Sequence, residues 1–67
     1  MQIGCQPLWE VRNWIYKENG YCFKMPKAIK VFGNAGCLYD EAAQVPLNQF
    51  ERYNVKAIKK AEAKKGC

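Results

Sequence analysis

Four cysteines stand at Cys5, Cys22, Cys37 and Cys67 in a chain of 67 residues, and they are the residues best able to do chemistry. Two chemistries compete for them. Structural zinc sites pair cysteines two to four residues apart and often add histidine. Here the separations are 17, 15 and 30 residues (5 to 22, 22 to 37, 37 to 67), and the chain has no histidine. The spacing therefore favours two disulfides over a metal site. Disulfides persist outside the cytosol, which predicts an extracytoplasmic home, secreted or periplasmic.

Catalysis finds little footing. Without histidine there is no Ser-His or Cys-His pair. Asp40 and Glu41 are adjacent carboxylates, a residue pair that acid–base chemistry can use. In a loop, neighbouring acids are more often solvated or paired with a lysine. No catalytic residue, metal or cofactor is expected, and the chain reads as a non-enzyme.

Charge offers a second handle. The net charge of +5 lies wholly at the C-terminal end. Residues 1–51 balance, whereas Arg52, Lys56, Lys59, Lys60, Lys64 and Lys65 face only Glu62. Lys56, Lys59, Lys60 and Lys64 recur at helical spacing and define a basic face, with Arg52 one turn earlier. Such a face tracks phosphates or anionic surfaces, or simply keeps a helix soluble. It lacks interleaved aromatics, so nucleic acid is disfavoured and anionic glycans or lipid head groups are preferred. Trp14 is the third handle. It sits off the apolar stripe of its helix beside Lys17 and Glu18, where a tryptophan either covers the edge of a core or anchors an interface.

Three helices must position these residues. Pro7 to Asn19 forms the first, with Leu8, Val11 and Ile15 on one stripe and Gly20 closing it. Arg12 lies beside that stripe, either laying its stem on the core or pairing with Asp40, Glu41 or Glu51. Tyr21, Cys22 and Phe23 fold back to seal the core. Pro26 to Phe32 forms a short second helix that ends at Gly33, with Ile29 and Phe32 inward. Residues 34–47 read as a loop punctuated by Gly36 and Pro46, in which 40–43 suit a single helical turn. Asn48 to Lys65 is the longest helix. Asn48 and Glu51 make a capping box, and Phe50, Ala57, Ile58 and Ala61 share its inner face with Tyr53 at the edge.

The expected fold is thus all-α: one small three-helix domain over 1–67, stapled by two disulfides. Antiparallel packing of the first and last helices brings Cys5 to Cys67, and Cys22 then pairs with Cys37 across the short helix. The sequence permits two other pairings. Residues 1–4 are expected to be unstructured or added. The opening segment has no basic and apolar leader, so the chain reads as a mature form after removal of a signal peptide. No apolar run reaches the length of a membrane span.

Residues 15–23, Ile-Tyr-Lys-Glu-Asn-Gly-Tyr-Cys-Phe, resemble the YARHG family of small extracellular bacterial domains, named for a Tyr-Ala-Arg-His-Gly motif. Tyr16 and Gly20 match that motif, while Lys17, Glu18 and Asn19 depart from it. The resemblance continues through Leu8-Trp9, Arg12-Asn13, 32–37, Tyr39-Asp40, Val45-Pro46-Leu47 and Gly66-Cys67, as in a cysteine-containing branch of the family. It implies export and offers no catalytic residues to carry over. Structural roles are expected for Arg12, Tyr16, Gly20, Tyr21, Phe23, Gly33 and Gly36. The resulting expectation is a secreted or periplasmic, monomeric binding module that contacts a protein or an anionic envelope ligand, through Trp14 and the basic helix. Two alternatives stand beside it. One is a secreted effector of a host-associated bacterium that binds a host protein, a reading to which the lysine-rich composition leans. The other is a cationic binder of anionic lipid or nucleic acid.

Overall fold

The structure is a computed structural model that describes residues 4–67. It holds three helices, α1 (Cys5–Glu18), α2 (Pro26–Phe32) and α3 (Gln49–Lys65), with a single 3-10 turn at Ala42–Gln44 before α3. The expected bounds hold for α2 and nearly so for α3. Helix α1 begins two residues early, so Pro7 occupies its third position rather than its first. A proline is tolerated anywhere in that turn, because the first backbone N–H groups have no helical acceptor. Of residues 1–4, expected to be unstructured, 1–3 lie outside the described residues and Gly4 is the N-cap of α1.

The chain ends α1 with two interlocked hydrogen bonds. The Gly20 N–H donates to the Lys17 carbonyl (3.2 Å), and the Tyr21 N–H donates to the Tyr16 carbonyl (3.1 Å). This is the Schellman arrangement, and it needs a positive φ at the glycine. Gly20 has φ 90°. Its carbonyl accepts from both Leu38 and Tyr39 (2.7 and 3.0 Å), and a Cβ there would stand 3.5 Å from Leu38 and Tyr39. The turn thus ties the end of α1 to the 34–47 loop, where Tyr21 and Tyr39 form an isolated parallel bridge. The same arrangement closes α3. Gly66, at φ 77°, donates to the Ala63 carbonyl, and the Cys67 N–H turns back to the Glu62 carbonyl at 2.9 Å.

Both disulfides form as the antiparallel packing predicts: Cys5–Cys67 and Cys22–Cys37. The first closes the open ends of α1 and α3. The second pins the segment after α1 to the loop after α2. Among the described residues no cysteine is free.

The core is small and aromatic. Leu8, Phe23, Ala28, Val45 and Val55 are buried. Around them runs a chain of rings: Tyr16 meets Tyr21 at 5.7 Å, Tyr21 meets Phe23 at 5.2 Å, and Phe23 stacks on Phe32 at 5.3 Å. Phe32 also reaches Trp9 and Trp14. Edge-to-face and offset contacts of this kind add to what area burial contributes. Asn34 completes the closure. Its side-chain oxygen accepts from the Phe23 N–H (2.7 Å) and its amide donates to the Phe23 carbonyl (2.8 Å), pairing a backbone that has no strand partner.

Several inward assignments change. Val11 is exposed, while Leu8 is buried and Ile15 half-buried as expected, and Arg12 and Asn19 make the hydrogen bonds from α1 and its C-cap to α3. On α2 the buried residue is Ala28, while Ile29 is 40% exposed. On α3, Phe50 and Tyr53 are 70% and 74% exposed and Ala57 faces solvent. On the inner face Val55 is buried and Glu51, Ile58, Ala61 and Glu62 are half-buried, with Glu51 and Glu62 in hydrogen bonds to Asn19 and Arg12.

Candidate functional site

Those polar contacts are the best-defined chemistry in the molecule. Near the disulfide-closed end, the Arg12 guanidinium donates twice to the Glu62 carboxylate, Nε to Oε1 at 2.6 Å and Nη2 to Oε2 at 3.2 Å. Both side chains are largely withdrawn from solvent. The partner is not Asp40, Glu41 or Glu51. Asp40 and Glu41 stand in the exposed loop, where Glu41 makes only a long contact of 3.8 Å with Lys24, and Glu51 is engaged at the other end of α3.

At that other end, Asn48 and Glu51 form the expected capping box. The Glu51 N–H donates to Asn48 Oδ1 at 2.8 Å, and the Asn48 N–H donates to Glu51 Oε1 at 3.0 Å. The second carboxylate oxygen of Glu51 accepts from the Asn19 amide at 2.8 Å, and that amide also donates to the Ile15 carbonyl. The backbone N–H of Asn48 and the Asn19 amide hold the Glu51 carboxyl below its ordinary pKa, because both bonds favour the charged form. Asn19 thus links the end of α1 to the start of α3, a role the sequence does not announce.

Four of the open hollows around this frame stand out among the described residues. The first, about 210 Å³, is lined by Arg12, Tyr16, Tyr21, Lys24, Met25 and Lys59 among others. A second, about 370 Å³, lies between Glu10, Val11, Trp14, Val31 and Phe32. A third, about 360 Å³, is lined by Tyr16, Leu47, Arg52, Val55, Lys56 and Lys59. A fourth, about 390 Å³, runs beside the Cys5–Cys67 bond with Trp9, Arg12, Lys27 and Glu62. Trp14 is half-exposed and lines the apolar second hollow. Arg52, Lys56 and Lys59 line the third. Lys60 and Lys64 are exposed and line none of the four. The structure therefore brings Arg52, Lys56 and Lys59 together around Tyr16 and sets Trp14 apart in its own groove. None of the basic residues of α3 makes an ion pair with another described residue.

The residues given structural roles sit in the closures. Tyr16, Gly20, Tyr21 and Phe23 build the turn after α1 and the ring chain. Gly33 ends α2 with a positive φ, and its carbonyl accepts from Lys17 Nζ at 3.4 Å. Gly36, at φ 73°, leads into Cys37.

The segment that carries Tyr16 and Gly20 is therefore the C-terminal turn of α1. A model of the YARHG domain matches residues 2–63. The chain belongs to the YARHG domain family. No curated protein and no solved structure matches it significantly. In this YARHG domain the motif tyrosine and glycine share one closure: the Tyr16 carbonyl accepts from Tyr21, and Gly20 supplies the positive φ. Asn19 stands where the motif has histidine, and it uses its amide as a hydrogen-bond donor to Glu51. Among the described residues no group of three or more Cys, Asp or Glu side chains is placed to hold a metal. Among them, too, no helix is long and apolar enough to cross a membrane.

Proposed function

We propose that this YARHG domain is a non-catalytic binding module, secreted or periplasmic, that contacts a protein or an envelope ligand. The observation that carries the reading is the covalent frame. Two disulfides close both ends of a domain with only a small buried core, and so hold rigid a surface rich in aromatic and basic side chains. A surface that is already fixed loses less entropy on binding. The disulfides fit an oxidising compartment. Two areas stand out: the groove around Trp14, and the seam where Arg52, Lys56 and Lys59 flank Tyr16.

The test is retention from a solubilised envelope fraction on the immobilised, oxidised domain. The reading expects a defined component to be retained at physiological salt and lost with Trp14→Ala, or with Lys56, Lys59, Lys60 and Lys64 changed to glutamine. No retained component overturns it. The unpaired cations of α3 favour one second reading, a cationic binder of anionic lipid or nucleic acid. That reading expects all binding to collapse at raised ionic strength, since exposed charges are screened beyond about 8 Å at physiological salt and closer still above it.

A further inference from the structure

Three of the four hollows adjoin. The hollow beside the Cys5–Cys67 bond and the central one share Arg12 and Met25. The central one and the hollow toward Leu47 share Tyr16 and Lys59. Together they make a trough along the seam of α1 and α3. Its walls carry six basic residues: Lys27, Arg12, Lys24, Lys59, Lys56 and Arg52. The one acid in its lining is Glu62, already bound to Arg12. A recessed wall with one sign of charge concentrates ligands of the opposite sign.

We infer that this trough binds a stretch of acidic polysaccharide, a chain of sugar units that bear carboxylates; the inference rests on the binding-module reading above. Its length suits a polymer rather than a lone anion, because the three hollows run end to end. Its cations answer carboxylates. It also offers groups that a bare anion would not use. Asn13 gives its amide N–H to the Trp9 carbonyl at 2.8 Å, which leaves its side-chain oxygen to accept from a hydroxyl. The Tyr16 and Tyr21 hydroxyls have no hydrogen-bond partner among the described residues.

Other polyanions fit less well. A peptide that docks as an added strand needs an open edge, and an acidic motif read by charge is held by a cluster of arginines; the described residues hold only the isolated Tyr21–Tyr39 bridge, and four of the six trough cations are lysines. Single-stranded nucleic acid needs rings offered as stacking platforms. Here Lys27 covers Trp9 at 4.3 Å, and Tyr16 packs against Tyr21. A helix that lies on lipid buries an apolar face beside its cations, whereas these cations surround a recess.

The experiment titrates the oxidised, isotope-labelled domain with an alginate hexasaccharide at physiological ionic strength and follows backbone amide shifts. The shifts should cluster around Arg12, Tyr16 and Lys59 and spare Trp14. Arg52→Gln with Lys59→Gln should weaken binding about tenfold, from the loss of two charge contacts. Lys60→Gln with Lys64→Gln removes the same charge outside the trough and should change affinity less than about twofold. Equal losses in the two double variants would overturn the trough. So would the absence of alginate binding, or equal affinity for a neutral maltohexaose. Tighter binding of an oligothymidylate or an oligoglutamate of equal charge would overturn the choice of glycan. If alginate fails while an envelope component is still retained on the immobilised domain, only the trough assignment falls; if both fail, so does the binding module.

Discussion

Arg12 and Glu62 are separated by 50 residues and joined by two charge-assisted hydrogen bonds. A guanidinium fork meets a carboxylate with a fixed geometry, so the pair sets the rotation of α3 as well as adding stability. Arg12→Gln should destabilise the fold by about 2 kcal/mol, the usual cost of losing bonds to a charged group that stays partly withdrawn from water. In urea unfolding, the Arg12→Gln, Glu62→Gln double variant should lose less than the sum of the single variants; strict additivity would show that the contact is not formed in solution. Glu51 makes a pH-dependent contribution. Its folded pKa lies below its unfolded value, so its stabilisation is full above the ordinary carboxylate range and is lost as pH falls through the folded pKa. Glu51→Gln should therefore flatten the acid side of the stability profile. An unchanged acid limb would contradict the bonds from Asn48 and Asn19. These polar roles were only partly legible in the sequence. The Asn48–Glu51 box follows from local spacing. Asn19 and Asn34 act across distance, on Glu51 and on the Phe23 backbone, and nothing in their neighbours marks them.

At the scale of elements, helix closures were legible and helix rotation was not. Gly20 and Gly66 announce the ends of α1 and α3 because only a positive φ completes those turns. Periodicity placed Phe50 and Ala57 inward because they are the apolar choice. The structure turns them out and faces Glu51 and Glu62 toward Asn19 and Arg12. Ile29 yields in the same way to Ala28, a small residue that lets helices approach, and Val11 turns out while Leu8 of the same stripe stays buried. The turn after α1 gives the sharpest test. Gly20→Ala forces a Cβ into a left-handed position against Leu38 and Tyr39, and should cost about 1 to 2 kcal/mol. Amide exchange should then speed up first at Leu38 and Tyr39, whose N–H groups bind the Gly20 carbonyl. Loss of stability spread evenly through the domain would argue against that local coupling.

The whole molecule depends on its covalent ends. Among the described residues five are buried, so burial leaves a narrow margin for a domain of this length. In the chain-entropy model the Cys5–Cys67 bond, spanning 62 residues, contributes about 4 kcal/mol, and the Cys22–Cys37 bond, spanning 15, about 3 kcal/mol. Cys5→Ser with Cys67→Ser should therefore unfold at markedly lower denaturant than the oxidised parent, and full reduction should leave little cooperative structure. The pairing could be read before the fold because two long helices of opposite direction bring the chain ends together. The basic trough could not, because it joins residues of α1, α2, α3 and both loops. The fold stands on that covalent frame, and non-reducing tryptic mapping tests it most directly, since Lys or Arg lies between every pair of cysteines. The expected products are a Cys5 peptide linked to the terminal Gly66-Cys67 fragment, and a Cys22 peptide linked to a Cys37 peptide. A Cys5–Cys22 link, or free thiols after export through an oxidising compartment, would contradict it.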